Sequence, residues 1–261
     1  MRTLSWNVQH RPRWRPTHDW RRRRRWIARL LPALHVDLAC MQELDAAMVH
    51  DLDAVLGDYA WVGYGRHDGR MRGEFAPLFY RRSRFRVLAA HQHWYSPTPG
   101  RPSRGWDAAA PRVLLNTVLQ DRACGRTIHV LNTHLDHRGQ VSRRRAIDAI
   151  LAHAAALDCR TPLLVAGDFN FDPGDPGYVR LTTELRDSRR CAADLRGPEW
   201  TWSAPVPVHR FARRLDYLFV TGALVVGAQR HIAWPAHRRR VSDHLPVCAT
   251  LRLLREAQRW P

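Results

Sequence analysis

Apolar and polar positions along the chain fall into two rhythms. Short apolar or alternating runs at residues 2–8, 37–43, 60–64, 76–80, 85–90, 113–119, 127–133, 163–166, 214–220, 224–232 and 246–254 have the length and composition of strands. Helical spacing appears in three places. Behind Thr17 or Asp19 as a cap, Trp26, Ile27, Leu30, Leu31 and Leu34 form one stripe. Ala146, Ile147, Ile150, Leu151, Ala154 and Leu157 share a face within residues 140–157, and a short helix fits residues 178–185. With no internal repeat and no Gly/Ser linker, this order predicts one domain over residues 1–261, built from sheets covered by helices.

The strands end in an unusual way. Residues 163–170 read LLVAGDFN, a β-prone apolar run that delivers Asp168 and Asn170, two residues apart and so on one side of an extended chain. Either these two shape a turn, since FDPGDPG follows, or they belong to a site. The same ending recurs. Asn7 closes LSWNV, Glu43 closes LACMQE, His134 closes IHVLNTH, and Asp243 with His244 precedes the last strand in VSDHLPV, while Asp216 opens the strand in RRLDYLFV. Each has a bland alternative: a turn cap for Asn7, a solvent-facing acid for Glu43, an edge histidine for His134, a cap for Asp243 and His244. Gathered in one cleft they would supply hard oxygen ligands, two imidazoles, an amide donor and an unligated carboxylate. Oxygen ligands such as Asn7, Glu43 and Asp243, with no thiolate, favour Mg2+ or Mn2+ over zinc. That inventory suits hydrolysis of a phosphate ester, where positioning a water and stabilising charge are the main tasks.

Composition changes the picture only a little. The formal charge of +18 permits a phosphate-rich partner, nucleic acid included. All 42 basic residues, however, are arginine, and exclusive arginine is also what a biased genome composition produces. The runs at residues 21–25, 143–145 and 238–240 read most simply as solvated faces; the alternative is an arginine-rich nucleic-acid binder without catalysis. Five cysteines with no CxxC pattern lead us to expect a reduced, cytoplasmic protein, and we expect a monomer. No run approaches the roughly 18 apolar residues of a membrane span, and no apolar leader follows Met1.

LSWNVQ, MQELD, LNTHLDH, AGDFN, RLDYLFV and SDHLPV, in this order and spacing from Leu4 to Val247, resemble the endonuclease/exonuclease/phosphatase superfamily. The resemblance implies an α/β fold, a four-layer α/β sandwich in which two mixed β-sheets pack face to face with helices outside and the site lies at one edge. It also implies roles. Glu43 resembles the main metal ligand, with Asn7 and Asp243 completing the site for Mg2+ or Mn2+. Asp168 resembles the carboxylate that orients and deprotonates the attacking water. Asn170 and His134 would stabilise the developing charge, and His244, oriented by Asp216, would contact the scissile phosphate.

The segment between Glu43 and His134 is similar to a bacterial branch of that superfamily, of unsettled substrate. From it Glu74, Tyr80, Trp106, Asp107 and Arg112 are candidates for the substrate wall, with Arg112 as phosphate clamp because its fork matches phosphate oxygens. The loop FDPGDPG is short and acidic, so a small phosphorylated metabolite, a sugar phosphate diester or a lipid head group suits the pattern as well as nucleic acid does. One rival remains among enzymes. NTHLDH is one residue from the HxHxDH signature of metallo-β-lactamase-like zinc hydrolases, but position 132 is Asn where that signature needs His.

Overall fold

The computed structural model describes residues 1–10, 19–203, 211–233 and 241–254. In chain order its elements are β1 (Arg2–Asn7), α1 (Trp20–Ala33), β2 (Leu38–Gln42), α2 (Ala46–Asp53), β3 (Tyr59–Val62), β4 (Leu78–Arg81), β5 (Phe85–Trp94), β6 (Val113–Asp121) and β7 (Thr127–His134). These are followed by α3 (Gln140–Ala155), β8 (Leu163–Asp168), α4 (Pro176–Leu181), β9 (Arg186–Asp187), α5 (Ser188–Cys191), β10 (Asp194–Arg196), β11 (Asp216–Val220), β12 (Leu224–His231) and β13 (Val247–Leu253). One sheet has the order β10-β12-β13-β1-β2-β4-β3 and the other β5-β6-β7-β8-β11-β9. Both are mixed: β1 runs parallel to β2 and antiparallel to β13, and β8 runs parallel to β7 and antiparallel to β11.

Strand alternation assigns every central side chain to one of two cores. On β1, Leu4 and Trp6 pack outward with Ile27 and Leu31 of α1 and Met48 and Leu52 of α2. On β8, Leu163 and Val165 pack outward with Ile147 and Ile150 of α3. The alternate positions, such as Cys40 of β2, Leu164 and Ala166 of β8 and Leu218 of β11, meet between the sheets. Helices therefore cover both outer faces, which gives the four layers. Each buried Leu or Ile is worth roughly 1.5–3 kcal/mol relative to exposure, so the period-two pattern fixes which face of each strand is in.

Departures from the sequence expectation have local causes. The chain caps α1 with Asp19, whose side chain accepts from the Arg21 N–H at 2.9 Å; Thr17 lies outside the described residues. The buried stripe of α1 is Trp20, Arg23, Ile27 and Leu31, so one arginine of the run at 21–25 is interior and the solvated-face expectation fails at that position. Helix α2 was not anticipated, although Asp45 caps it by accepting from the Met48 N–H and Met48, Val49 and Leu52 carry helical spacing. The short β9, α5 and β10 are too brief to leave a periodic signal. No helix among the described residues is long and apolar enough to cross a membrane.

Candidate active site

The inward-facing rhythm that fills the inter-sheet core ends, at one edge of the sandwich, in polar residues. Asn7 is the last residue of β1, His134 the last of β7, Asp168 the last of β8 and Asp216 the first of β11. In the register, His134 lies beside Asp168 in the parallel pair and Asp216 lies opposite Asp168 in the antiparallel pair. Three neighbouring strands thus present His134, Asp168 and Asp216 in one row. The other sheet contributes Asn7, Glu43 and, from the segment before β13, Asp243 and His244.

Glu43 and Asn170 come by a different route. Both lie one or two residues past a strand end, and both have left-handed backbone, with φ of 64° and 53°. Continued alternation would have put Glu43 on the outer side with Ala39 and Met41. A left-handed non-glycine residue costs on the order of 1 kcal/mol, and here it turns the carboxylate back into the cleft. Glycine is needed at position 167, because a Cβ there would sit 2.1 Å from the Thr133 carbonyl oxygen where β7 and β8 approach.

Polar contacts converge on Asp168. Its Oδ2 accepts from Asn7 Nδ2 at 3.0 Å and lies 3.5 Å from His134 Nε2 and 3.7 Å from His244 Nε2, while Oδ1 accepts from the Asn170 N–H at 2.9 Å. Asn7 Nδ2 also donates to Glu43 Oε1 at 2.8 Å, and the His10 N–H donates to Glu43 Oε2 at 2.8 Å. His244 Nδ1 faces Asp216 Oδ2 at 2.7 Å, and the same oxygen accepts from Thr201 Oγ1 at 2.6 Å. Ser242 Oγ donates to the Asn7 carbonyl at 2.7 Å and accepts from the His244 N–H at 3.1 Å, which ties the end of β1 to the segment before β13.

Burial and these neighbours set the protonation states. Burial, helped by the Asp216 carboxylate, raises the Asp168 pKa well above the usual carboxylate range. Burial works against the charged form of His244 too, but the carboxylates of Asp216 and Asp168 outweigh it and hold His244 as imidazolium. His134 goes the other way: burial and the positive charges of Arg112 and Arg66 keep it neutral. For Glu43 burial is overcome by the Asn7 and His10 hydrogen bonds and by His244 and Arg112, so it is held ionised. Two carboxylates in one cleft are thereby driven apart, one toward a base near neutrality and one toward a fixed charge.

The cleft has a volume of about 470 Å³, with Glu43, His134, Asp168, Asn170, Asp243 and His244 among its lining residues. Of the candidates for the substrate wall, Glu74 and Arg112 line it; Tyr80, Trp106 and Asp107 do not. Tyr80 packs at the margin of the inter-sheet core. Asp107 caps α3 instead, accepting from the N–H groups of Val141 and Ser142 at 3.1 and 2.8 Å, a duty its neighbour Gly139 has no side chain to perform. Trp106 is 42% exposed, with the Arg145 guanidinium 5.9 Å from its ring. Sequence inspection missed Arg66, His137, Trp202 and Arg213, which complete the walls. Arg66 and His137 lie inside the similar segments, but nothing in their spacing distinguished them from loop residues.

Arg112 is built in firmly. Its Nε donates to Asp136 Oδ2 at 3.1 Å, and its Nη2 donates to His137 Nδ1 at 3.2 Å. Asp136 also accepts from the N–H groups of Ala109, Arg138 and Gly139. Burial resists its charge, yet these bonds and Arg112 hold Asp136 far below the usual carboxylate range. Arg112 Nη1 is buried and has no hydrogen-bond partner.

The donor set fits a hard divalent cation at Glu43. The carboxylates of Glu43 and Asp243 line the cleft with no cysteine among its lining residues, while Asn7 turns its amide nitrogen to Glu43 and its Oδ1 to the Gln9 N–H, so it would join a cation through water or after turning its amide. Asp168, Asp216 and His244 also cluster with ligand atoms within 4.8 Å of one another. Within that trio, Asp216 is fully buried, faces His244 Nδ1 and accepts from Thr201 Oγ1. The zinc-hydrolase alternative needs a histidine at position 132, where the chain has an asparagine with a structural duty. Asn132 is fully buried, accepting from Gln42 Nε2 at 2.8 Å and donating to the carbonyls of Met41, Ala76 and Pro77, so it bridges the two sheets. The arginine run at 238–240 lies outside the described residues.

Residues 4–244 match the Endonuclease/Exonuclease/phosphatase family. Among solved structures, an endonuclease/exonuclease/phosphatase from Bacteroides vulgatus superposes with a TM-score of 0.92 at 29% identity, over 97% of this chain and 98% of that one. A mannosyl-6-phosphatase of Bacteroides thetaiotaomicron superposes with a TM-score of 0.89 at 24% identity, over 97% of this chain and 100% of that one. TDP2 of D. rerio, complexed with a single-strand DNA product, gives 0.72 at 19% identity, over 97% and 98%. No protein of curated function matches the chain in sequence.

Proposed function

Since the chain belongs to the endonuclease/exonuclease/phosphatase family, we propose that it is a metal-dependent phosphoesterase in which Asp168 activates the attacking water. One observation carries this: a buried carboxylate of raised pKa lies on the cleft with Asn7, His134, Asn170 and His244 all within reach of it. A Mg2+ or Mn2+ ion held by Glu43, with Asn7 and Asp243, would polarise a phosphate oxygen and neutralise charge as the ester bond breaks.

The chain's own groups do the rest. Asp168 accepts a proton from a water as that water's oxygen bonds to phosphorus, and the alcohol oxygen leaves from the opposite side. His244, kept cationic by Asp216, donates from Nε2 to a non-bridging oxygen, while its Nδ1–H continues to donate to Asp216 Oδ2. Neutral His134 and the Asn170 amide add donors that need no reorganisation as charge develops. Arg112, fixed by Asp136 and His137, offers Nη1 to the phosphate. The five free cysteines agree with work in a reducing, cytoplasmic setting.

The test is hydrolysis of p-nitrophenyl phosphate and bis-p-nitrophenyl phosphate by purified protein with Mg2+ or Mn2+, beside Glu43→Ala. Turnover that requires added metal and disappears in Glu43→Ala is expected. Turnover that persists in chelator, or in Glu43→Ala, would remove Glu43 from the metal site.

A further inference from the structure

The charge of the whole chain and the charge of the cleft disagree. Although the chain carries +18, the cleft is lined by Arg66, Arg112, Arg213 and the imidazolium of His244 against Glu43, Glu74, Asp168 and Asp243. All three arginines are already paired. Arg66 is held by both Glu74 oxygens, Nη2 to Oε1 at 3.0 Å and Nη1 to Oε2 at 2.8 Å; Arg112 is held by Asp136; Arg213 Nε donates to Asp172 Oδ2 at 2.7 Å. A nucleic-acid backbone binds by replacing counterions on unpaired cations, and a second phosphate entering this cleft would meet paired guanidiniums and the carboxylates of Glu74 and Asp172. Polyanion tracks are built otherwise.

What these walls do offer is hydrogen bonding to neutral hydroxyls. A carboxylate bound to a guanidinium keeps free lone pairs that accept from an O–H, and the guanidinium beside it donates to the next oxygen. The half-buried Trp202 lines the same cleft, its indole N–H donating to Asp243 Oδ2, also on the cleft, at 3.3 Å. Ala109 and Ala110 leave room between the two walls. An aromatic face with paired acid and guanidinium around it suits a ring that is apolar on one side and hydroxylated at its edge.

The geometry points to a sugar phosphate as the substrate, its hydroxyls bound by the Arg66–Glu74 pair and its ring against Trp202. This assignment rests on the phosphoesterase reading above and narrows it to one class of alcohol. Glu74 and Trp202 then set specificity, and Arg112, with its single unpartnered nitrogen, serves the phosphate alone.

The experiment measures phosphate release from hexose 6-phosphates and from n-butyl phosphate, with cleavage of single-stranded DNA and of RNA alongside, for the wild type, Glu74→Gln and Trp202→Leu in Mg2+ or Mn2+. The ratio of kcat/KM for hexose phosphate to that for butyl phosphate should fall about tenfold or more in each variant, chiefly through KM, the scale of one lost charge-assisted bond. A merely structural role would lower both substrates together and leave the ratio in place. An unchanged ratio in both variants, or DNA or RNA cleaved with higher kcat/KM than any hexose phosphate, would overturn the sugar assignment and leave the phosphoesterase standing. No turnover of any ester with either metal would overturn the phosphoesterase, and the sugar assignment with it.

Discussion

At the scale of single residues, the site works by giving similar groups different surroundings. Glu43 and Asp168 are both carboxylates that accept two hydrogen bonds in one cleft, yet for Glu43 those bonds, with His244 and Arg112, outweigh burial, while for Asp168 burial, reinforced by the Asp216 carboxylate, prevails. His134 and His244 divide in the same way, one neutral and one cationic. The Asp216–His244 pair makes an ordered prediction: Asp216→Asn should lower kcat by about ten- to hundredfold, the usual loss when an orienting partner is removed, and His244→Ala by about a hundred- to a thousandfold. Steady-state kinetics on the two variants decide it; the reverse order would break the pair. His231, 2% exposed at the end of β12, titrates away from the site. Burial, with Arg189 and Arg214 nearby, lowers its pKa to about 4. The unfolded chain therefore takes up a proton before the folded one as pH falls below about 6.5, so this contribution to stability is full above that pH and is lost toward pH 4, by up to about 3 kcal/mol. Denaturant melts at pH 7 and 5 should show a smaller drop in His231→Gln than in the wild type; equal drops would show that His231 does not carry the effect. That most candidate site residues would meet at one edge was legible in the sequence because each stands at an end of an apolar run. Asn170 was expected to share a side with Asp168 by strand alternation, whereas β8 stops at Asp168 and a left-handed turn aims Asn170. Such a φ leaves no mark on hydrophobic pattern.

At the scale of elements, strand ends gather the site and an arginine from a helix holds two of its loops. Arg23 of α1 is 3% exposed, and its Nη1 donates to the carbonyls of Val8, Gln9 and Val241 at 2.6, 2.8 and 3.3 Å. Those carbonyls belong to the segment after Asn7 and the one before Asp243. Arg23→Met should cost about 2–3 kcal/mol of stability by leaving buried acceptors unsatisfied, and it should lower metal affinity while Arg22→Met, on the exposed side of the same run, changes neither. Calorimetry of both variants checks this; equal effects would return the whole run to the solvated-face expectation. The run itself concealed the difference, since five identical residues have no period and only the apolar spacing of Trp20, Ile27 and Leu31 puts position 23 inside. Elements with long periodic signals, β1, β2, β6, β7, β8, β11, β13 and α3, were legible, and short ones such as β9 and β10 were not.

At the scale of the whole molecule, the hydrophobic pattern called only for sheets covered by helices and the resemblance implied the four layers; strands apolar on both faces, which need helices or another sheet on each side, account for that order physically. The walls of the cleft were less legible, because Trp202, Arg66 and Arg213 come from loops whose contacts depend on tertiary approach alone. Net charge, the most visible property of the chain, carries little about the site, where every lining arginine has a carboxylate partner. In the proposed mechanism Asp168 handles the proton of the attacking water, and the cation is held at Glu43 independently of it. The most direct measurement is p-nitrophenyl phosphate hydrolysis by Asp168→Asn beside Mn2+ binding by calorimetry. The account predicts a fall in kcat of about a hundred- to ten-thousandfold, the range for a lost general base, with metal affinity near that of the wild type. A variant that binds metal normally and still turns over at the wild-type rate would contradict it.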